Sequence, residues 1–183
     1  MLWEAVLLGL AIGWFRKGSS KNLNHVNLIG WPIIILALLI QAIIRLDFAY
    51  FDGTFELLYS YFYVFSFVFL LVVVFLQEKQ TGIIIFGLGI LLNLLVITAN
   101  EGRMPVNPSE MPLQKANELS SGTASPFHTV MDEDSWLAFL GDHISLPYSK
   151  NRLISIGDII LGAGIAIYIQ HNMLKKNKLR KWR

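Results

Sequence analysis

The sequence predicts an all-α fold, an integral membrane bundle of five transmembrane helices with one long extracytoplasmic loop. Hydrophobic residues make up 54% of the chain and charged residues only 15%, which is far from the composition of an average soluble protein. The apolar residues also occur in uninterrupted runs, and about 20 apolar residues are enough for a helix to span a bilayer. We therefore expect residues 1–183 to form a single membrane domain.

The first two runs predict helices at about residues 2–15 and 28–44. The first is short for a span, but Trp3 and Trp14 near its ends are typical of the headgroup region. It lacks the basic start and the cleavage site of a signal peptide, so we expect it to be a retained helix. In the second run, Pro32 falls within the first turn, where its missing N–H costs least.

The third run, at about residues 57–76, has aromatic residues at alternate positions, a period that indicates a strand. We prefer a helix, because a lone strand would leave its backbone groups without hydrogen bonds in lipid. The fourth helix is predicted at about residues 82–99. Small and amide residues share one face of it, which indicates a closely packed helix interface: Gly82, Gly89, Asn93, Val96 and Asn100.

The fifth helix is predicted at about residues 153–169, after a long loop at 100–152 and before a basic tail at 171–183. The loop holds five of the six prolines of the chain, which is typical of irregular structure. A loop of this length in a small protein is either functional or poorly ordered. Within it, the amphipathic stretch at 135–140 is expected to lie on the membrane surface.

The distribution of positive charge predicts the orientation. With the N-terminus outside, the inner segments hold ten Lys and Arg residues and the outer segments five. Positive residues are concentrated on the cytoplasmic side of membrane proteins. We therefore expect the N-terminus and the long loop outside the cell membrane and the C-terminal tail in the cytoplasm.

The same composition limits the partners. The chain has no cysteine, which excludes disulfides and thiolate chemistry. No nucleic-acid signature is present, and the basic tail suits anionic inner-leaflet lipid instead. We expect membrane lipids as partners, with other membrane proteins as a further possibility.

Polar residues within or beside apolar runs are the candidate ligand-binding residues. Asp158 is the one carboxylate well inside a predicted span, in its outer third, and such residues are functional candidates by default. Arg103 lies just beyond the fourth helix at a similar depth. The two side chains either form a pair that locks the fourth and fifth helices or line an open polar site. The full predicted set is Asn100, Glu101, Arg103, Asp142 and Asp158.

Three functions fit these residues. In the leading one, Arg103 holds a lipid phosphate or a carboxylate, to which its planar fork is suited, and Asp158 orients it. The second is an enzyme that acts on lipid or lipid-linked substrate, with Asp158 or His143 as the general base. The third is a subunit of a larger membrane complex, in which the polar blocks only hold helices together. Asp142 and His143 are adjacent and do not converge on one atom, so we predict no metal site.

Several blocks of the chain resemble a bacterial family of five-helix membrane proteins of unknown function. The resemblance covers most of the chain and is carried mainly by three blocks: Asn100-Glu101-Gly102-Arg103-Met104-Pro105-Val106, Leu140-Gly141-Asp142 and Ile154-Ser155-Ile156-Gly157-Asp158-Ile159. It implies a bacterial cytoplasmic membrane protein and brings no activity with it.

A second resemblance is to signal peptidase II, an intramembrane aspartic protease. The block that is similar contains one of that family's aspartates: Gly157-Asp158-Ile159-Ile160-Leu161-Gly162. The chain departs from the pattern because no aspartate follows Asn93 or Asn100 at the place of the second. Aspartic proteolysis needs two carboxylates that share a proton, and only Asp142 or Glu101 would remain for that role.

Overall fold

A computed structural model of the protein describes residues 2–51, 53–146 and 149–175. These residues form six α-helices: α1 (Leu2–Phe15), α2 (Trp31–Tyr50), α3 (Glu56–Leu76), α4 (Thr81–Ala99), α5 (Leu113–Ser120) and α6 (Ile156–Leu174). They also form four strands: β1 (Met104–Val106), β2 (His128–Val130), β3 (Ile144–Leu146) and β4 (Ser149–Ile154). Short 3₁₀ turns occur at Ser20–His25, Pro108–Glu110 and Ala138–Leu140.

The predicted helices are present with some changes of boundary. The helix predicted at 28–44 begins at Trp31 and continues to Tyr50. The helix continues through this charged segment because Asp47 is buried there. The Asp47 carboxylate accepts hydrogen bonds from the Tyr59 hydroxyl (2.6 Å) and the Phe55 N–H (2.9 Å). The helix predicted at 153–169 begins at Ile156 and ends at Leu174, because the preceding residues belong to β4. Of the predicted tail at 171–183, residues 176–183 lie outside the described residues.

Three helices, α2, α3 and α4, are long and apolar enough to cross a membrane, by length and composition alone. The aromatic run predicted at 57–76 is thus a helix despite its period of two. Helix α1 is apolar but shorter, and α6 does not meet the same criteria. The presence of five spanning helices stays a prediction.

The most extensive packing in the bundle joins α4 to α6. Glycines make the close approach possible: a Cβ on Gly89 would lie 2.5 Å from the backbone nitrogen of Leu161. Helix α1 packs on α6 in the same way, with Gly9 against Ala166 and Gly13 against Met173. The two contacts advance together along both helices, so α1 runs parallel to α6. The N-terminal end of α1 and the start of α6 therefore lie at the same end of the bundle.

The segment between α4 and α6 is folded, and we call residues 100–155 the cap. Strand β1 is its centre, pairing in parallel with β2 on one side and with Asp142 on the other. Strands β3 and β4 form a separate antiparallel pair. The expectation of an irregular loop at 100–152 was therefore wrong, and the all-α description applies to the bundle alone. Backbone pairing around a buried Met104-Pro105-Val106 overcomes the irregularity that the prolines suggested.

A tight turn joins the cap to α4. Glu101 and Gly102 both have positive φ angles, of 55° and 79°, and the Gly102 N–H donates to the Ile97 carbonyl at 2.9 Å. Gly102 also packs against α3, where an added Cβ would lie 2.5 Å from the Ser60 Cβ. Only glycine satisfies both requirements. This turn fixes the cap against the ends of α3 and α4.

Candidate functional site in the cap

The structure does not bring the five predicted site residues into one place. Asn100 lies at the end of α4, where its side chain forms hydrogen bonds with the backbone of one residue of the cap. Its amide group donates to the carbonyls of Val96 (2.7 Å) and Trp136 (2.8 Å), and its oxygen accepts from the Trp136 N–H (2.9 Å). These contacts use both amide protons. Asn100 therefore anchors the cap to the bundle.

Asp158 belongs to a hydrogen-bonded seam between α4 and α6, which we define by Gly89, Asn93, Ser155, Gly157 and Asp158. Asn93 donates to the Asp158 carboxyl (2.9 Å) and accepts from the Ser155 hydroxyl (2.9 Å). The Ser155 oxygen in turn caps α6 by accepting from the Asp158 N–H (3.0 Å). The Ser-Ile-Gly-Asp block is thus a helix cap and a lock between helices.

The expected pair of Asp158 with Arg103 is not formed. Arg103 Nη2 lies 3.8 Å from the Glu56 carboxylate at the start of α3, because the turn after α4 places Arg103 on the α3 side. The cleft beside it, about 310 Å³ in volume, is also lined by Glu101, Asp132 and Asp134. Three carboxylates and one guanidinium do not favour a ligand that carries negative charge alone there.

Asp142 lines a different cavity, which we call the cap cavity, about 220 Å³ in volume and partly open. Its walls come from β1, α5, β2 and β4, and they include the charged or polar residues Lys115, Glu118, Ser125, His128, Asp142 and Arg152. Asp142 is only 8% exposed. Its Oδ1 atom is buried without a hydrogen-bond partner among the described residues, a condition that is rare and costly in folded proteins.

The electrostatics of the cap cavity favour neutral forms of its two central groups. Burial, together with the nearby charge of Asp158, raises the pKa of Asp142 from 3.8 to about 8. Burial and the charge of Arg45 lower the pKa of His128 from 6.5 to about 4. At neutral pH the 3.7 Å approach of His128 Nε2 to Asp142 Oδ2 is therefore a contact of a neutral imidazole with a protonated acid. The acid then carries a proton that it can donate.

Ser125, His128 and Asp142 line the cavity together, but their geometry does not form a nucleophilic relay. His128 Nδ1 lies 2.7 Å from the Ser125 oxygen, which also accepts from the Phe127 N–H at 3.2 Å. These are contacts within one local turn. The His128–Asp142 distance of 3.7 Å exceeds that of a hydrogen bond. His143, the other predicted base, contacts the carbonyl of Gly141 at 2.9 Å and is absent from the lining of this cavity.

Sequence reasoning missed Lys115, Glu118 and Arg152, which line the same cavity as Asp142. Each is an ordinary charged residue of a polar segment. Arg152 is far from Lys115 and Glu118 in the chain, so the three residues do not form a recognisable sequence motif. One signal was available: Leu113–Ser120 forms an amphipathic helix, and a helix inside a long loop indicates that the loop folds. Its polar residues Lys115 and Glu118 then become candidates for a cap site.

The fold defines a class of protein. It is a helical bundle with a folded cap over one end, and three of its helices are long and apolar enough to cross a membrane. The chain belongs to the Family of unknown function (DUF5317), whose model matches residues 25–170. The expectation of an uncharacterised family is thereby confirmed, whereas the likeness to signal peptidase II stays a prediction.

The chain is also similar to an uncharacterised protein of Thermotoga maritima. The two are 31% identical over 105 residues, which are 56% of this chain and 59% of that protein. No solved structure matches the chain.

Proposed function

We propose that the protein is a multi-pass membrane protein whose cap cavity binds a small anionic group, either a free molecule or the headgroup of a lipid. One observation carries this proposal: a buried carboxyl oxygen of Asp142 lacks a partner beside a cavity that also contains Lys115 and Arg152. A bound anion would supply that partner. The ligand type is the one that the sequence predicts, an anionic group, but the residues proposed to bind it are different.

The charges and shape of the cap cavity suit such a ligand. The Glu118 carboxylate accepts a hydrogen bond from Gln114 at 3.1 Å. At neutral pH Asp142 is protonated, so the positive charges of Lys115 and Arg152 outweigh the negative charge of Glu118. A neutral acid in an apolar site donates a hydrogen bond to a negative group. Buried Val106, Leu119 and Leu153 form an apolar floor. The volume of about 220 Å³ is below the usual range for ligand sites, which limits the ligand to a small anion with a short apolar part.

We test this site by thermal unfolding of the purified protein with inorganic phosphate and, separately, with butanoate. Either anion should raise the unfolding temperature. Lys115→Gln and Arg152→Gln should each reduce the increase, and Lys79→Gln, at the other end of the bundle, is the matched control. Equal stabilisation of all four proteins would contradict the proposal. A headgroup rather than a free anion is indicated if only lipids that carry phosphate stabilise the wild type.

The proposed setting is the bacterial cytoplasmic membrane, with five spanning helices, the N-terminus and the cap outside, and the C-terminus in the cytoplasm. The excess of positive charge at the opposite end supports this orientation. Trp136 and Phe139, 71% and 64% exposed near the end of α4, suit the headgroup region.

The orientation is tested with single cysteines, since the chain has none of its own. A membrane-impermeant maleimide added to whole cells should label Ser109→Cys in the cap. It should label Ser20→Cys, at the opposite end, only after lysis. The reverse pattern would overturn the orientation and leave the cavity proposal to be tested separately.

The two other predicted functions, an enzyme that acts through Asp158 or His143 and a subunit of a larger complex, stay alternatives. The hydrogen bonds of Asp158 within the seam favour a structural role for that residue. No described contact favours His143 as a base.

A further inference from the structure

Another cavity lies on the outside of the bundle, between the first half of α3 and the end of α4. It is an open groove of about 540 Å³, a volume within the usual range for ligand sites. We call it the α3–α4 groove. Its lining is Leu57, Ser60, Tyr61, Val64, Phe65, Thr98, Glu101 and Gly102. It shares no residue with the lining of the cap cavity.

The two ends of the groove differ in polarity. Val64 and Phe65 lie further along α3, in the apolar part of a helix that is long enough to cross a membrane. Glu101 and the first turn of α3 lie at the other end, at the level where α4 stops and the cap begins. A molecule that fills this groove has an apolar tail on one side and a polar head on the other. A phospholipid of the surrounding membrane has that form.

Charges of both signs lie next to the polar end, on Arg103 and Glu56, which follow Gly102 and precede Leu57 of the lining without belonging to it. Arg103 Nη2 lies 3.8 Å from Glu56 Oε1, and the two side chains are 42% and 68% exposed. An ion pair that is so long and exposed contributes little to stability, so both groups can exchange it for a ligand. Glu101 is exposed beside them and lines both the groove and the cleft that contains Arg103.

The backbone holds these charges in place. Glu101 has a left-handed backbone φ of 55°, which residues other than glycine rarely adopt. Gly102, which follows it, is pressed against the Ser60 backbone, and an added Cβ would lie 2.7 Å from the Ser60 Cα. The turn is thus fixed to α3 at the end of the groove, and Glu101 does not depend on a flexible loop for its position.

We propose that the α3–α4 groove is a binding site for a zwitterionic phospholipid with a primary amine in its headgroup. An acyl chain lies along Val64 and Phe65, Arg103 binds the phosphate, and Glu101 and Glu56 bind the ammonium. A lipid with phosphate but no amine leaves two carboxylates beside an uncompensated negative charge. A quaternary amine cannot donate hydrogen bonds to them. The site therefore distinguishes headgroups by the primary amine.

This proposal goes beyond the cap cavity and shares with it only the placement in a membrane, which the cysteine labelling tests separately. We test the groove by native mass spectrometry of the full-length protein released from detergent. Phosphatidylethanolamine, phosphatidylcholine and phosphatidylglycerol with identical acyl chains are added in turn. Phosphatidylethanolamine should be retained at least about tenfold more than either of the others, which corresponds to about 1.4 kcal/mol.

Variants assign the binding to this groove. Glu101→Gln should remove the preference for the amine, and Arg103→Gln should weaken all three lipids. Thr98→Trp, which fills the groove from its exposed side, should abolish retention without touching the charges. Glu110→Gln, an exposed carboxylate of the cap outside the groove lining, is the matched control. Thermal unfolding of each variant confirms that it is folded.

Three results would overturn the proposal. Equal or greater retention of phosphatidylglycerol would show that the carboxylates do not select the headgroup. Unchanged retention in folded Thr98→Trp would show that the lipid binds elsewhere. Equal retention of phosphatidylcholine would also count against it, because the site would then read the phosphate alone.

Discussion

The seam between α4 and α6 and the cap cavity each contain a carboxyl group, half-buried for Asp158 in the seam and buried for Asp142 in the cavity, but the groups are used differently. In the seam, Asn93 bonds to both Ser155 and Asp158, and the glycines leave no space. In the cap cavity, Asp142 has an oxygen without a partner beside about 220 Å³ of open volume. A buried polar group whose hydrogen bonds are complete holds structure together, whereas an incomplete one beside a cavity is a candidate for binding.

This difference explains why the seam and the cavity respond to different changes. The seam is sensitive to loss of a partner, because Ser155, which is left behind, is fully buried and Asp158 is half-buried. The cap cavity is sensitive to pH and to anions, because its central group can gain or lose a proton. Each of the following predictions separates the two behaviours.

The largest effect is expected from Asn93→Leu, which removes both hydrogen bonds across the seam. The Asp158 carboxyl and the Ser155 hydroxyl each lose a partner, and a buried polar group left unpaired costs about 1 to 3 kcal/mol. We expect the free energy of unfolding to fall by about 3 kcal/mol, measured by denaturant unfolding in detergent micelles.

The matched control is Asn117→Leu, on the exposed side of α5. It makes the same chemical change without removing a buried contact and should alter stability by less than about 0.5 kcal/mol. If both variants unfold alike, the seam is not a structural lock. Asn93→Leu should also leave phosphate binding in the cap cavity intact, as far as the variant remains folded.

The seam was largely predictable from the sequence, and the cap cavity was not. The spacing of Gly82, Gly89 and Asn93 indicated one packed face of α4, because helix periodicity is a local property. Its partner was misassigned: equal depth suggested Arg103 for Asp158, but depth does not specify the direction around a helix. The turn at Glu101 and Gly102 directs Arg103 towards Glu56 instead.

The cap illustrates the opposite limit of sequence reasoning. Five prolines and many polar residues predicted an irregular loop, yet β1 pairs with residues more than twenty positions further along the chain. Such pairing leaves no periodic pattern in a strand of three residues. Asp142 was predicted as a site residue, but its environment of Lys115, His128 and Arg152 arises only from the fold.

The second prediction uses pH to isolate the cap cavity. The folded state raises the pKa of Asp142 from 3.8 to about 8, chiefly by burial and then by the charge of Asp158. Between these values the folded protein holds a proton that the unfolded chain releases. The contribution of Asp142 to stability therefore falls as the pH rises from about 4 to about 8, by at most about 1.4 kcal/mol per pH unit. Between about 4 and 6.5 the lowered pKa of His128 gives a rise of similar slope, so the net decline is expected between about 6.5 and 8. Above that window the contribution is constant.

Asp142→Asn removes this titration and should flatten the decline, whereas Asp134→Asn, exposed in the same cap, should leave it unchanged. Phosphate binding gives a second readout. In the wild type it should weaken as the pH passes about 8 and Asp142 becomes negative. A wild type and an Asp142→Asn variant with the same pH profile in both measurements would show that Asp142 is already ionised at neutral pH.

The smallest effect is expected from Asn100→Ala, which tests whether a predicted site residue behaves like the seam or like the cavity. The variant loses the hydrogen bonds to both backbone groups of Trp136, but they lie at the exposed end of α4, where water replaces them. We expect a loss of about 1 kcal/mol and faster hydrogen exchange of the Trp136 N–H. Gln114→Ala on α5 is the control for a lost surface amide. If Asn100→Ala instead weakens phosphate binding and leaves exchange unchanged, Asn100 belongs to a ligand site. The rule drawn from the seam, that completed hydrogen bonds indicate a structural role, would then fail at the residue where the sequence placed the strongest expectation of function.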